Sequence, residues 1–100
     1  MTGHDPAFDT AHPSGQVTFR SACGGYLHSV ALTEAAMRTD PRTLARAVLL
    51  TAEVSHLKAV MRERQDIIDA GCTPSAEIAG PAEMERAQAE LLGHRLRPDV

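Results

Sequence analysis

A chain of 100 residues with a formal net charge of −3 and no aromatic residues beyond Phe8, Phe19 and Tyr26 makes one small domain with a thin core, a size at which a second copy often completes the stability. The acidic balance counts against a protein built mainly to neutralise phosphates. No apolar run reaches membrane-spanning length and no basic-then-apolar leader opens the chain, so a cytoplasmic protein with no membrane partner is expected.

Residues 1–15 are polar and broken by Gly3, Pro6, Pro13 and Gly15, which predicts a disordered arm with Phe8 as its one bulky apolar residue. Gln16 to Ala22 alternates, with Val17, Phe19 and Ser21 on one side and Thr18 and Arg20 on the other, the period of a half-buried strand. Cys23-Gly24-Gly25 reads as a hairpin turn, and Tyr26 to Leu32 as the return strand, apolar on both faces. Thr33 to Thr39 is a link with a helical turn at Glu34–Met37.

Asp40 is placed to cap a helix that Pro41 opens, because proline at the first helical position loses no hydrogen bond. Helix formers then run without Gly or Pro to Ala70, and Gly71 and Pro74 stop them. Such a helix extends roughly 45 Å, more than one hairpin covers. Ala47, Leu50, Val54, Leu57, Met61 and Ile68 recur with a seven-residue pattern interrupted by Arg64, and Glu53 and Lys58 fall on flanking positions. Leu50, Val54, Leu57 and Met61 are therefore assigned to a homodimer or partner interface, with ordinary core as the plainer alternative. Leu44, Val48 and Leu49 widen the apolar side near the helix start, where sheet and partner are both expected to pack. Residues 71–80 form a linker, and a second, shorter helix over 81–96 carries Ala82, Met84, Ala87, Leu91 and Leu92 on its apolar side. The tail 97–100 is expected to fray. The fold class is α+β: a short antiparallel β-hairpin and long helix over 16–70, then the C-terminal helix, as a dimer.

The chemistry-bearing residues form no recognisable catalytic set. His4, His12, His28, His56 and His94 are scattered without metal-ligand spacing. Glu63, Asp66 and Asp69 share a helix face but read as a solvated surface beside Arg62 and Arg64. Cys23 and Cys72 are far apart and read as free thiols of a reducing compartment. No metal, cofactor or enzymatic activity is expected. Arg20, Arg38, Arg42 and Arg46 make the one basic constellation, a candidate contact for nucleic acid or an acidic partner, with a solvated face as the plainer reading.

The run Gly25-x-Leu27-x-x-Val30-x-Leu32, followed by Arg38-x-Asp40-Pro41-x-x-Leu44-Ala45 and an alanine-rich amphipathic helix, resembles the YbaB/EbfC family of nucleoid-associated proteins. The resemblance covers Gln16 to Met61 and implies a short antiparallel sheet, a long helix and an intimate dimer. It is closest to the EspD- and EspH-like relatives encoded with type VII (ESX) secretion systems in actinobacteria. Those relatives share a Pro-led helix like Pro81-Ala82-Glu83-Met84-Glu85-Arg86-Ala87. The resemblance implies a non-enzymatic scaffold or chaperone-like accessory that supports the stability or export of secretion substrates. A nucleoid-associated DNA-binding protein is the alternative. The DNA-binding members begin with a long helix, and the proline-broken residues 1–15 stand in its place here.

Overall fold

The computed structural model describes residues 8–21 and 27–97. It is an α+β fold: strands β1 (Thr10–Ala11), β2 (Val17–Ser21) and β3 (Leu27–Leu32), a 3-10 segment (Glu34–Arg38), then helices α1 (Pro41–Asp69) and α2 (Pro81–Gly93). The strands make one antiparallel sheet in the order β1-β2-β3. The Cys23–Gly25 turn expected from the glycines, and Tyr26 after it, lie outside the described residues.

The alternation of β2 holds. Val17, Phe19 and Ser21 are buried while Arg20 is exposed, because the first set faces α1. Residues 8–15 correct the expectation of a disordered arm over 1–15, whose residues 1–7 lie outside the described residues. From Phe8 onward the chain is part of the fold: Phe8 is 3% exposed, Thr10 pairs with Phe19, and Ala11 pairs with Thr18. Sequence alternation cannot reveal a two-residue strand. What fixes this one is a set of bonds from α1, far along the chain. Ser55 Oγ donates to the Phe8 carbonyl at 2.8 Å, and Lys58 Nζ donates to the Asp9 carbonyl at 2.7 Å. Burial pushes the Lys58 ammonium down from its ordinary value, and the neighbouring Asp9 charge partly offsets this.

Asp40 stands at the start of α1, though its carboxylate caps nothing; its backbone carbonyl accepts from Leu44 N–H and from Thr43 Oγ1. The helix ends as its glycine requires. Gly71 sits at φ +84°, its N–H donates to the Ile68 carbonyl, and Cys72 N–H donates to that of Ile67. This pair of bonds satisfies carbonyls that the helix leaves open, and only glycine adopts the left-handed conformation cheaply. At Gly80, which opens α2, the N–H donates to Glu83 Oε2 at 2.8 Å. The backbone bonds at this position hold the Glu83 carboxyl below its usual range.

The helix stripe requires a second correction. Leu50, Val54 and Leu57 do not form an open seam for another copy; they are buried against Ala87 and Leu91 of α2, with Ala79 and Met84 alongside. The reason is the return of the chain. Residues 71–80 let α2 run back along α1, and its small Ala87 allows close approach. Met61, at the far end of the stripe, is half-buried. A chain with few aromatics thus completes its core with its own second helix.

Candidate functional site

A helix about 10 Å wide covers roughly two strands spaced about 4.8 Å apart. Here α1 lies over β2 and β1. The third strand is left short of cover. Val30 and Leu32 pair with Phe19 and Val17, so they share the helix-facing side of the sheet, yet they remain 42% and 41% exposed. Beside them the start of α1 presents Leu44, Ala45, Val48 and Leu49, with Leu49 63% exposed. Leu32, Pro41, Leu44, Ala45, Val48 and Leu49 line one shallow hollow of about 450 Å³ whose walls are all apolar.

This corner has an open edge as well as an open face. β3 is the last strand of the sheet, and its sequence, Leu-His-Ser-Val-Ala-Leu, holds no Lys, Arg, Asp, Glu or Pro. Natural edge strands are usually protected by such residues, because a bare strand edge invites pairing. Among the described residues no strand pairs with the outer edge of β3.

The basic constellation does not converge. Arg20 lies on the sheet side away from α1 and faces Asp9 at 3.9 Å. Arg38 ends the 3-10 segment, and Thr39 and Asp40 separate it from the helix of Arg42 and Arg46. Arg46 meets Glu90 of α2 at 3.2 Å. The four residues therefore stand on three elements, and two already face carboxylates. The acidic run near the end of α1 is exposed, with Arg62 facing Asp66 at 3.5 Å and Gln65 donating to Asp69.

One constellation escaped the sequence entirely. His12 and His94, far apart in the chain, meet with Nε2 of the first 2.9 Å from Nδ1 of the second. No spacing rule reaches across such a separation. Among the described residues no group of three His, Cys, Asp or Glu side chains is placed to hold a metal. Cys72 is exposed and unpaired with any other cysteine, while Cys23 lies outside the described residues.

Comparison with known proteins places the chain. Residues 1–97 match a family described as "Protein of unknown function (DUF2694)". The chain belongs to this family. Relatives with 55% identity over 97 residues include an uncharacterised protein of Mycobacterium bovis and others from two strains of Mycobacterium tuberculosis. Each match covers 97% of this chain and 96% of the relative. No solved structure matches the chain. Among the described residues of this DUF2694 chain, no helix is long and apolar enough to cross a membrane.

Proposed function

We propose that the chain is a non-enzymatic assembly protein, a scaffold or chaperone-like accessory, whose working surface is the β3–α1 corner and whose first partner is a second copy of itself. The observation that carries this reading is the apolar hollow beside an uncharged strand edge. The two features are self-complementary. Antiparallel pairing of β3 with its two-fold copy extends the sheet without charge repulsion, and each α1 flank gains apolar surface to cover.

Beyond the dimer, the reading is of a cytoplasmic accessory to type VII (ESX) secretion. Its support is the YbaB-like order of antiparallel strands, long helix and shorter helix, together with relatives in mycobacteria. The nucleic-acid alternative has less support, since Arg20 and Arg46 already face carboxylates and the net charge is −3.

The test is light scattering on the native chain and on Leu49→Glu. The native chain is expected to be a dimer at micromolar concentration. The variant should remain helical by circular dichroism but dissociate, because burying a carboxylate against apolar groups costs about 3 kcal/mol or more, roughly a hundredfold in affinity. A folded native chain that scatters as a monomer at high micromolar concentration overturns the assignment, as does a Leu49→Glu dimer as tight as the native one.

A further inference from the structure

Three side chains from opposite ends of the sequence form a relay of hydrogen bonds. Ser14 Oγ lies 2.8 Å from His12 Nδ1, and His12 Nε2 lies 2.9 Å from His94 Nδ1. Ser14 and His12 sit in the loop between β1 and β2, while His94 follows α2. The loop is pinned by its own backbone. His12 N–H donates to the Val17 carbonyl and Gly15 N–H to the His12 carbonyl, both at 2.8 Å, with Gly15 at φ +75°.

The protons in the relay follow from one amide. Ser14 N–H donates to His12 Nδ1 at 3.1 Å. An amide nitrogen can only donate, so Nδ1 carries a lone pair and the ring proton sits on Nε2. The Ser14 hydroxyl is then the donor to Nδ1, and His12 Nε2–H donates to His94 Nδ1. Gln16 N–H donates to Ser14 Oγ at 3.2 Å, which leaves that oxygen a second lone pair. A hydroxyl bonded to an imidazole, whose far side is oriented by a third group, is the arrangement that activates a serine nucleophile. The base is sheltered and the hydroxyl is not: His12 is 2% exposed, and Ser14 is exposed.

The turn by itself does not call for the histidine. Ser75 Oγ accepts from Glu77 N–H at 3.2 Å, the same local bond at the same length, and among the described residues no imidazole bonds its hydroxyl. The surroundings of Ser14 also differ. It lines a hollow of about 340 Å³ with both histidines, Arg95, and the apolar Pro13 and Leu96. Arg95 Nη1 is held by the Leu92 carbonyl at 2.8 Å and the His94 carbonyl at 3.2 Å. Among the described residues its Nε and Nη2 meet no acceptor, so the guanidinium keeps donors for a carbonyl oxygen that gains charge.

We propose that Ser14 is an acyl-acceptor site, in which His12 is the base, His94 is the positioning residue, and the donor is a thioester of a small acyl group. Ser14 Oγ bonds the acyl carbon as its proton passes to His12 Nδ1. The carbon–sulfur bond then breaks, and the thiolate leaves with the bonding pair and takes up that proton. The products are an O-acyl serine and a free thiol. A neutral imidazole is a modest base, so the acyl group has to be activated beforehand, as it is in a thioester. The chain is modified once and turns nothing over. The site therefore goes beyond the assembly reading and does not rest on it.

The sign of the pH dependence follows from the groups that face the relay. Burial first, then His94 and Arg95, pushes the His12 imidazole below its ordinary value of 6.5. Arg46 of α1 bears on His94, and the Glu90 carboxylate of α2 is engaged by Arg46. His12 is thus neutral and able to accept a proton at pH 7, and the acceptor fails only as pH falls beneath 6.5.

The experiment treats the full chain with phenyl thioacetate and maps acetylated peptides by mass over time. Ser14 should be acetylated about a hundredfold faster than Ser75. Its rate should stay level from pH 8 to 6.5 and fall below that. His94→Asn, whose side-chain oxygen accepts from His12 Nε2–H, should stay near the native rate, whereas His94→Leu should lose about tenfold or more. Equal rates at Ser14 and Ser75 overturn the proposal, since the turn then explains the serine. So does a Ser14 rate that climbs about tenfold per pH unit above neutrality, which marks hydroxide as the base. Equal rates in the two His94 variants remove the positioning role. If those variants do not fold, the native ratio of Ser14 to Ser75 and the native pH profile decide.

Discussion

Val54→Asp should leave the chain unfolded at neutral pH, with the helical circular dichroism signal largely lost. Val54 is 1% exposed and sits among Leu50, Leu57, Ala87 and Leu91, where no described cation is part of the cluster. A carboxylate placed there either stays charged and loses its hydration or takes up a proton at a cost. The net penalty is on the order of 4–5 kcal/mol, which rivals the total stability of a small domain. The same logic reassigns Leu57→Asp. On an open seam that substitution splits a dimer into folded monomers. Leu57 is buried under α2, so it should instead unfold the chain. A folded monomeric Leu57→Asp would restore the seam and remove α2 from its place on the stripe.

The second large effect lies between helix and sheet. Ser55 Oγ donates to the Phe8 carbonyl, which can only accept, so the single Ser55 proton is committed there. The 2.6 Å contact with Ser21 is then a donation from Ser21 Oγ to Ser55 Oγ. Ser55→Ala strands the buried Ser21 hydroxyl, at about 1–3 kcal/mol, and leaves the Phe8 carbonyl with only the longer bond from Thr10 Oγ1 at 3.3 Å, at about 1 kcal/mol. A total loss of about 2–4 kcal/mol should appear in urea titrations as a lower midpoint with an unchanged slope. Ser21→Ala removes only the outer bond and should cost about 1 kcal/mol, because Ser55 keeps its acceptor. Equal losses for the two substitutions would refute this ordering of the protons.

These two predictions mark where the sequence was legible. Its period-2 and helical patterns located β2 and α1, because burial on one face leaves a local imprint on apolar spacing. Pro41, Gly71 and Pro81 marked helix ends for reasons confined to their own backbones. The role of the stripe was not legible. A run such as Leu50, Val54 and Leu57 shows that a face is covered without showing by what, and Ala87 and Leu91 are too modest a signature to be matched to it. β1 was invisible because two residues carry no period, and its anchor is Ser55. The apolar β3–α1 corner was half legible. Leu44, Val48 and Leu49 announced a widened apolar side, but only the register of β3 placed Leu32 beside them. His12 and His94 carried no local sign of each other.

The packing of α2 over the α1 stripe has a consequence during synthesis. Leu50, Val54 and Leu57 leave the ribosome well before Ala87 and Leu91, which cover them. At ordinary translation rates of 5–20 residues per second the delay is about 2–7 seconds, long compared with the microseconds in which a helix forms. Each newborn chain thus presents a finished but bare helix for seconds, and its last helix arrives as the chain's own shield. Nonsense or frameshift events that delete α2 should therefore yield aggregation-prone fragments that quality control removes, instead of smaller working proteins.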